Sequence, residues 1–203
     1  MKTSIISFLI ILCSVNVLQA KKYYDAEIFF KDGTSKMGMA EFIEEGMARY
    51  IKFKTNKDAK AEKVESTDLN RIVYSIDGNT IVFEQVKVYR GLKQNKIAEP
   101  RWLHVLERGI TTLYTTQTTI YSGNNRMNGA NFTDYYCIRD GEPAAKLISV
   151  VSTFNNNATF KAYAPDYFKD YPELSAKIEA KEYKYDDIVT VVKEYNIWAA
   201  KNK

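Results

Sequence analysis

The chain has 203 residues, of which 29 are Lys or Arg and 25 are Asp or Glu, for a net charge of +4. A balance this even leaves no electrostatic footprint for nucleic acid or for an anionic membrane surface. One histidine and two cysteines could not make a zinc site of the usual kind without a set of acidic ligands, so no cofactor and no metal is expected.

Residues 1–20 read as a secretory signal peptide. Lys2 gives a short positive start, 4–15 an apolar run, and Ala20 a small residue for cleavage. The run is shorter than the ~20 apolar residues that span a bilayer, so a cleaved leader is expected, with no transmembrane segment in the mature chain. Cys13 does not signal a lipoprotein, because Leu12 before it is too large for that cleavage. The rest of the chain keeps Cys137 alone, so no intrachain disulfide can form. Its stability must come from an apolar core rich in its fifteen tyrosines.

The segments 22–30 and 34–43 flank Asp32-Gly33, a type I′ hairpin signal. That turn pairs Phe30 with Ser35, Ile28 with Met37 and Ala26 with Met39. It places Met37 and Met39 in the core with Ala26, Ile28 and Phe30, and sends Glu27 and Lys36 to the other face. A third strand over 49–54 follows the turn at Glu44-Glu45-Gly46, and the polar stretch 55–63 reads as a solvated loop. A second hairpin turns at Asp77-Gly78, with Ile72, Tyr74, Ile76, Ile81 and Phe83 on one face. Val86 and Val88 have the opposite parity, which predicts a bulge or bend near Glu84-Gln85. Residues 91–100 read as a linker.

The stretch 101–121, RWLHVLERGITTLYTTQTTIY, holds two apolar runs broken at Gly109. It predicts two antiparallel strands. A turn at Arg108-Gly109 sets Leu106 opposite Thr111, His104 opposite Leu113 and Leu103 opposite Tyr114. Leu103, Val105, Ile110 and Tyr114 then share one face; Trp102, His104, Leu106 and Leu113 share the other. Both faces are largely apolar, which puts this pair mid-sheet and covered on both sides. The Gly- and Asn-rich stretch 122–131 is a loop, and strands over 132–139 and 145–151 follow.

After about residue 154 the pattern turns helical. Pro172 opens one helix, with Leu174 and Ile178 at i and i+4. Tyr185 or Asp186 caps a second, in which Ile188, Val191, Val192, Tyr195 and Trp198 form one stripe. The expected fold is α+β: an antiparallel, partly barrel-like β body over 21–151, with a helical segment over 152–203 packed against it.

No P-loop, GxGxxG, GxSxG or HExxH motif is present. His104 lies inside an apolar strand, which suits packing better than proton transfer. Cys137 alternates with Tyr135 on a strand and lacks a base partner. The adjacent acids Glu44-Glu45 and Asp186-Asp187 fall in a turn and at a helix start, where capping and the helix dipole account for the second pair. No catalytic residue is assigned. Exposed aromatic rings can stack on sugars, and Tyr121, Tyr135 and Tyr136, which flank the Asn-rich loop, are the candidate ligand-binding residues.

Several clusters form a longer pattern: Lys31-Asp32-Gly33-Thr34 with Gly38; Leu106, Gly109, Ile110 and Leu113-Tyr114; Phe168, Asp170, Pro172 and Leu174; Asp187-Ile188, Val191-Val192 and Tyr195-Asn196. In this layout the chain resembles an uncharacterised family of signal-peptide-bearing, envelope-associated proteins of Gram-negative bacteria. In that family a cysteine often precedes the proline, where this chain has Tyr171. The resemblance implies an exported protein with a β-rich body and a helical tail, and carries no catalytic residue. The expected function is a non-enzymatic binding or interaction protein of the periplasm or cell surface, its partner an envelope component or another protein. The alternative is a carboxylate-dependent hydrolase of envelope or dietary polysaccharide. It requires two acids facing a cleft, roughly 5–10 Å apart.

Overall fold

In a computed structural model, residues 22–202 are described except 45, 91–93, 95, 98–99, 122–128 and 153–156. The expected leader and most of the Asn-rich loop lie outside the described residues. Four strands, β1 (Tyr23–Phe30), β2 (Ser35–Glu41), β3 (Tyr50–Lys54) and β4 (Glu62–Glu65), form a first meander. The chain then makes β5 (Leu69–Ile76) and β6 (Asn79–Val86), and a small ribbon of β7 (Tyr89–Arg90) with β8 (Lys96–Ile97). The second meander continues from β6 through β9 (Arg101–Glu107), β10 (Thr111–Tyr121), β11 (Gly129–Arg139) and β12 (Lys146–Ser152). Pairing of β1 with β5 joins the two into one open antiparallel sheet of ten strands, ordered β12-β11-β10-β9-β6-β5-β1-β2-β3-β4. The helices α1 (Ala158–Tyr167), α2 (Pro172–Glu179) and α3 (Ile188–Lys201) pack against the β9–β12 end. The fold is α+β, as the sequence predicts.

The first hairpin is corrected by one residue. Phe29 pairs with Ser35, Ile28 with Lys36 and Ala26 with Gly38. The loop holds three residues: the Gly33 N–H donates to the Phe30 carbonyl at 3.1 Å, and the Phe30 N–H donates to the Thr34 carbonyl at 2.8 Å. Gly33 is left-handed at φ 89°, so a type I turn ends in a glycine bulge. The Asp32 carboxylate fixes this form by accepting from the Thr34 N–H at 2.9 Å and the Thr34 hydroxyl at 2.7 Å. One extra residue flips every side chain of β2. Met37, expected in the core, is 79% exposed, and Ala40 is buried instead.

The second hairpin follows expectation, with Ile76 opposite Asn79 and Ile72 opposite Phe83. Asp77 and Gly78 both have positive φ, 49° and 78°, as a type I′ turn requires. The expected bulge near Glu84-Gln85 is not there, because the ladders of β6 run through those residues without a shift. Val86 changes parity because it joins a different core on the other face. In the stretch expected as a loop, β4 forms an edge strand. Its charged Glu62, Lys63 and Glu65 hide its periodicity, and charge is how an exposed edge avoids further pairing.

In the central pair, Glu107 lies opposite Leu113 and, after a register shift, His104 opposite Thr115. These partners are offset by two or three residues from the expected ones. The irregularity absorbs the odd step, so Leu106 and Leu113 still share a face while Leu103, Val105 and Tyr114 share the other. Ile110 is the exception and packs on the helix side.

Three cores result. The strands β1–β6 curl round Ile28, Phe53, Leu69, Ile72, Tyr74 and Phe83, with Trp102 of β9 at the edge. The Trp102 N–H donates to the Gly46 carbonyl at 2.9 Å, and its indole donates to the Ser66 hydroxyl at 3.0 Å. That hydroxyl in turn donates to the Ala48 carbonyl at 2.6 Å. The β2–β3 connection and a 3-10 turn (Ser66–Asp68) thus reach across to β9, which bends the sheet into a partial barrel.

On the same face of β10–β12, Leu113, Cys137 and Ile148 meet Phe160, Phe168, Leu174, Ile178, Val191, Val192 and Tyr195 from the helices. The predicted stripe on α3 makes this contact. The sequence does not predict α1, because Pro165 lies inside it and proline normally ends a helical pattern. On the opposite face, the chain leaving β6 crosses Leu103, Tyr114 and Tyr136 as a strap. Val88 bridges Ala145 in parallel, with the Tyr89 N–H on the Ala145 carbonyl at 2.9 Å. The pair β9–β10 is therefore covered on both faces. Among the described residues no helix is long and apolar enough to cross a membrane.

Candidate ligand-binding cleft

Tyr135 and Tyr136 are neighbours on a strand, so their rings point to opposite faces. Tyr135 is partly buried against the helix-side core. Tyr136 is 4% exposed in the strap-side core, with its hydroxyl 3.4 Å from Asp134 Oδ2. Tyr121 pairs with Gly129 at the end of β10, and its side chain lies outside the described residues. The two described rings do not form one platform. His104 stacks on Phe83 at 5.3 Å, and burial lowers its pKa. Cys137 is fully buried, which pushes its thiol well above the ordinary range. Among the described residues no three His, Cys, Asp or Glu side chains converge in a metal-holding group.

A cleft of about 500 Å³ opens where the β1–β2 turn approaches the end of β6, within the usual size range of small-molecule sites. Register builds its floor. Phe29 of β1 pairs with Arg71 of β5, and Arg71 pairs with Glu84 of β6. Direct cross-strand partners share a face, so a ring, a cation and an acid stand in one row. Glu84 is fully engaged: Arg108 Nη2 donates to Oε1 at 2.7 Å, and the Tyr114 hydroxyl donates to Oε2 at 2.7 Å. Burial, then that bond to Glu84, raises the Tyr114 hydroxyl pKa. Arg71 is not engaged in this way. Its guanidinium lies 3.9 Å from the centre of the Phe29 ring, and its Nε is buried with no acceptor. Among the described residues no carboxylate pairs with it.

A second cleft of about 270 Å³ lies under α3, lined by Ile110, Arg139, Asp140, Asp170, Tyr195 and Trp198. Most of its polar groups answer one another, although Arg139 Nε is buried without an acceptor. Arg139 Nη2 donates to the Tyr167 carbonyl at 2.7 Å and to Asp170 Oδ1 at 3.0 Å. Its guanidinium lies 4.4 Å from the Tyr167 ring centre and 4.8 Å from that of Tyr195. The Tyr195 hydroxyl donates to Asp170 Oδ2 at 2.6 Å, and burial, then that bond, pushes its pKa up to about 12. Beside it, Asn196 accepts from the Thr111 N–H at 2.7 Å and donates to the Thr111 carbonyl at 2.9 Å. A Cβ on Gly109 would fall 2.3 Å from Asn196 Nδ2. Asp170, Tyr195, Asn196 and Gly109 all belong to the clusters picked out in the sequence, and here they form the joint that docks α3 on the sheet.

No family model matches the chain, and neither a curated protein nor a solved structure matches it. Function is therefore read from the two clefts. The helix-side one is a joint whose cation, Arg139, is paired with the Asp170 carboxylate. The outer-face one presents an unmatched cation beside an aromatic ring. Sequence reasoning did not single out Arg71 or Glu84. The Asp77-Gly78 register already sets them opposite each other, so that much was readable. Phe29 was not, because the pairing of β1 with β5 leaves no local signal.

Proposed function

We propose that the chain is an exported, non-enzymatic binding protein of the bacterial envelope, periplasmic, outer-membrane-associated or at the cell surface, which holds a small ligand in the outer-face cleft. The observation that carries this reading is the row Phe29–Arg71–Glu84, set on adjacent strands in the middle of the sheet. Sites on paired strands hold their geometry better than sites on loops. The expected leader over 1–20 and the resemblance to signal-peptide-bearing envelope proteins support the location. The hydrolase alternative needs two free acids across a cleft. Glu84 is the one carboxylate lining the outer-face cleft, and both its oxygens accept hydrogen bonds. The helix-side cleft is lined by two acids, Asp140 and Asp170, but both oxygens of Asp170 are already engaged, so it is not a free acid.

The test is an amide NMR titration of the protein with a panel of neutral and acidic sugars, run beside a turnover assay on envelope and dietary polysaccharides. Shifts should cluster at Phe29, Asn70, Arg71 and Gln85. They should disappear in Asn70→Trp, which fills the cleft from an exposed position and should melt like wild type. Polysaccharide turnover that is lost on Asp170→Asn would replace this reading with the hydrolase.

A further inference from the structure

The outer-face cleft says more about its occupant than its size does. The Arg71 guanidinium sits 3.9 Å from the centre of the Phe29 ring with Nε buried, contacts that restrict the side chain before anything binds. Its two Nη groups have no partner among the described residues and are not among the buried unpaired atoms. They form the edge a guanidinium offers to a planar two-oxygen acceptor. The local charge is also defined. Arg108 balances Glu84 through the 2.7 Å ion pair, which leaves the single positive charge of Arg71 on the lining. A carboxylate carries one negative charge and matches it, whereas a phosphate, about −1.5 to −2 at neutral pH, brings charge that the lining does not balance. Phe29 and Phe30 supply an apolar wall, and Thr34, Asn70 and Gln85 supply polar groups suited to hydroxyls.

We infer that the outer-face cleft takes a small hydroxylated carboxylic acid, its carboxylate held by the Nη edge of Arg71. This deepens the binding reading above and rests on it. The probes are D-glucuronate, D-glucose, benzoate and inorganic phosphate, titrated against wild type, Arg71→Gln and Arg71→Lys with amide NMR. A charged hydrogen-bonded pair should make glucuronate bind at least about tenfold tighter than glucose, with phosphate no tighter than glucuronate. Arg71→Gln should erase the difference between glucuronate and glucose, and Arg71→Lys should keep part of it, with both melting near wild type because the side chain is partly exposed. Glucose binding as tightly as glucuronate, phosphate binding tighter, or undiminished preference in Arg71→Gln overturns this inference and leaves the cleft as a binding site. If no probe moves the cleft amides, both readings fall.

Discussion

Asn196 does with one side chain what a neighbouring strand does with its backbone. Its amide pairs with both the N–H and the carbonyl of Thr111, on the side away from β11, where the β9 ladder has not begun. Asn196→Ala leaves two partly buried backbone groups unmatched and should cost about 1–3 kcal/mol, read as a lower midpoint in urea. His104 makes a second prediction. Burial disfavours its imidazolium, so its folded pKa lies below the ordinary value of 6.5. Below that pH the unfolded chain takes up a proton that the folded chain resists. The contribution is complete above the unfolded value and is lost as pH falls through the folded one. Wild type should therefore lose more Tm than His104→Gln between about pH 7 and about pH 5. Sequence patterning marked Tyr195-Asn196 and Asp170 without saying why. Their reason is contacts spanning 25 and 85 residues along the chain, which no local pattern encodes.

Elements were legible where periodicity or turn chemistry is strong. The stripe of α3 predicted its buried face, and Asp77-Gly78 gave its register. Asp32-Gly33 is the same dipeptide with a different outcome. Thr34 binds the Asp32 carboxylate with both its N–H and its hydroxyl, which favours a three-residue loop, and one residue was enough to turn Met37 outward. The proline in α1 and the charges of β4 each hide an element that tertiary contacts impose. The docking of α3 gives this scale its prediction. Val192 is fully buried between α3 and the sheet, and an isolated helix of this length is marginal in water. Val192→Asp places an unpaired charge there and should destabilise by about 4 kcal/mol. An unchanged melting temperature would mean that α3 does not depend on this contact.

At the scale of the molecule, one sheet runs through all three cores, and a tryptophan reports on each end. Trp102 is buried in the β1–β6 core. Trp198 packs on the helix-side core, stacked on Tyr171 at 4.6 Å between ring centres. Because β9 belongs to both ends, with Trp102 in one core and Leu106 against the other, the ends should unfold together. Trp102→Phe and Trp198→Phe each leave a single reporter. In each protein the remaining fluorescence and the far-UV circular dichroism should give one shared midpoint, as two-state unfolding requires. Separate midpoints would divide the chain into two cooperative units. This continuity was not legible in advance, since no pattern within either meander specifies which of its strands meets the other.

That junction of β1 with β5 also bears on how quickly the chain reaches its native state. Most other ladders of the sheet join strands that follow one another along the chain, so they close short loops. Ile28 and Ile72 lie about forty residues apart and meet only when β1 finds β5. Hairpins close in microseconds, whereas distant pairings wait on a larger loss of chain entropy. The order of events that follows is two meanders made early and their joining made late. Until they join, the outward edges of β1 and β5 are open to any other strand, including one from a second molecule. Concentration during refolding, more than denaturant, is then the variable that decides the yield of native protein.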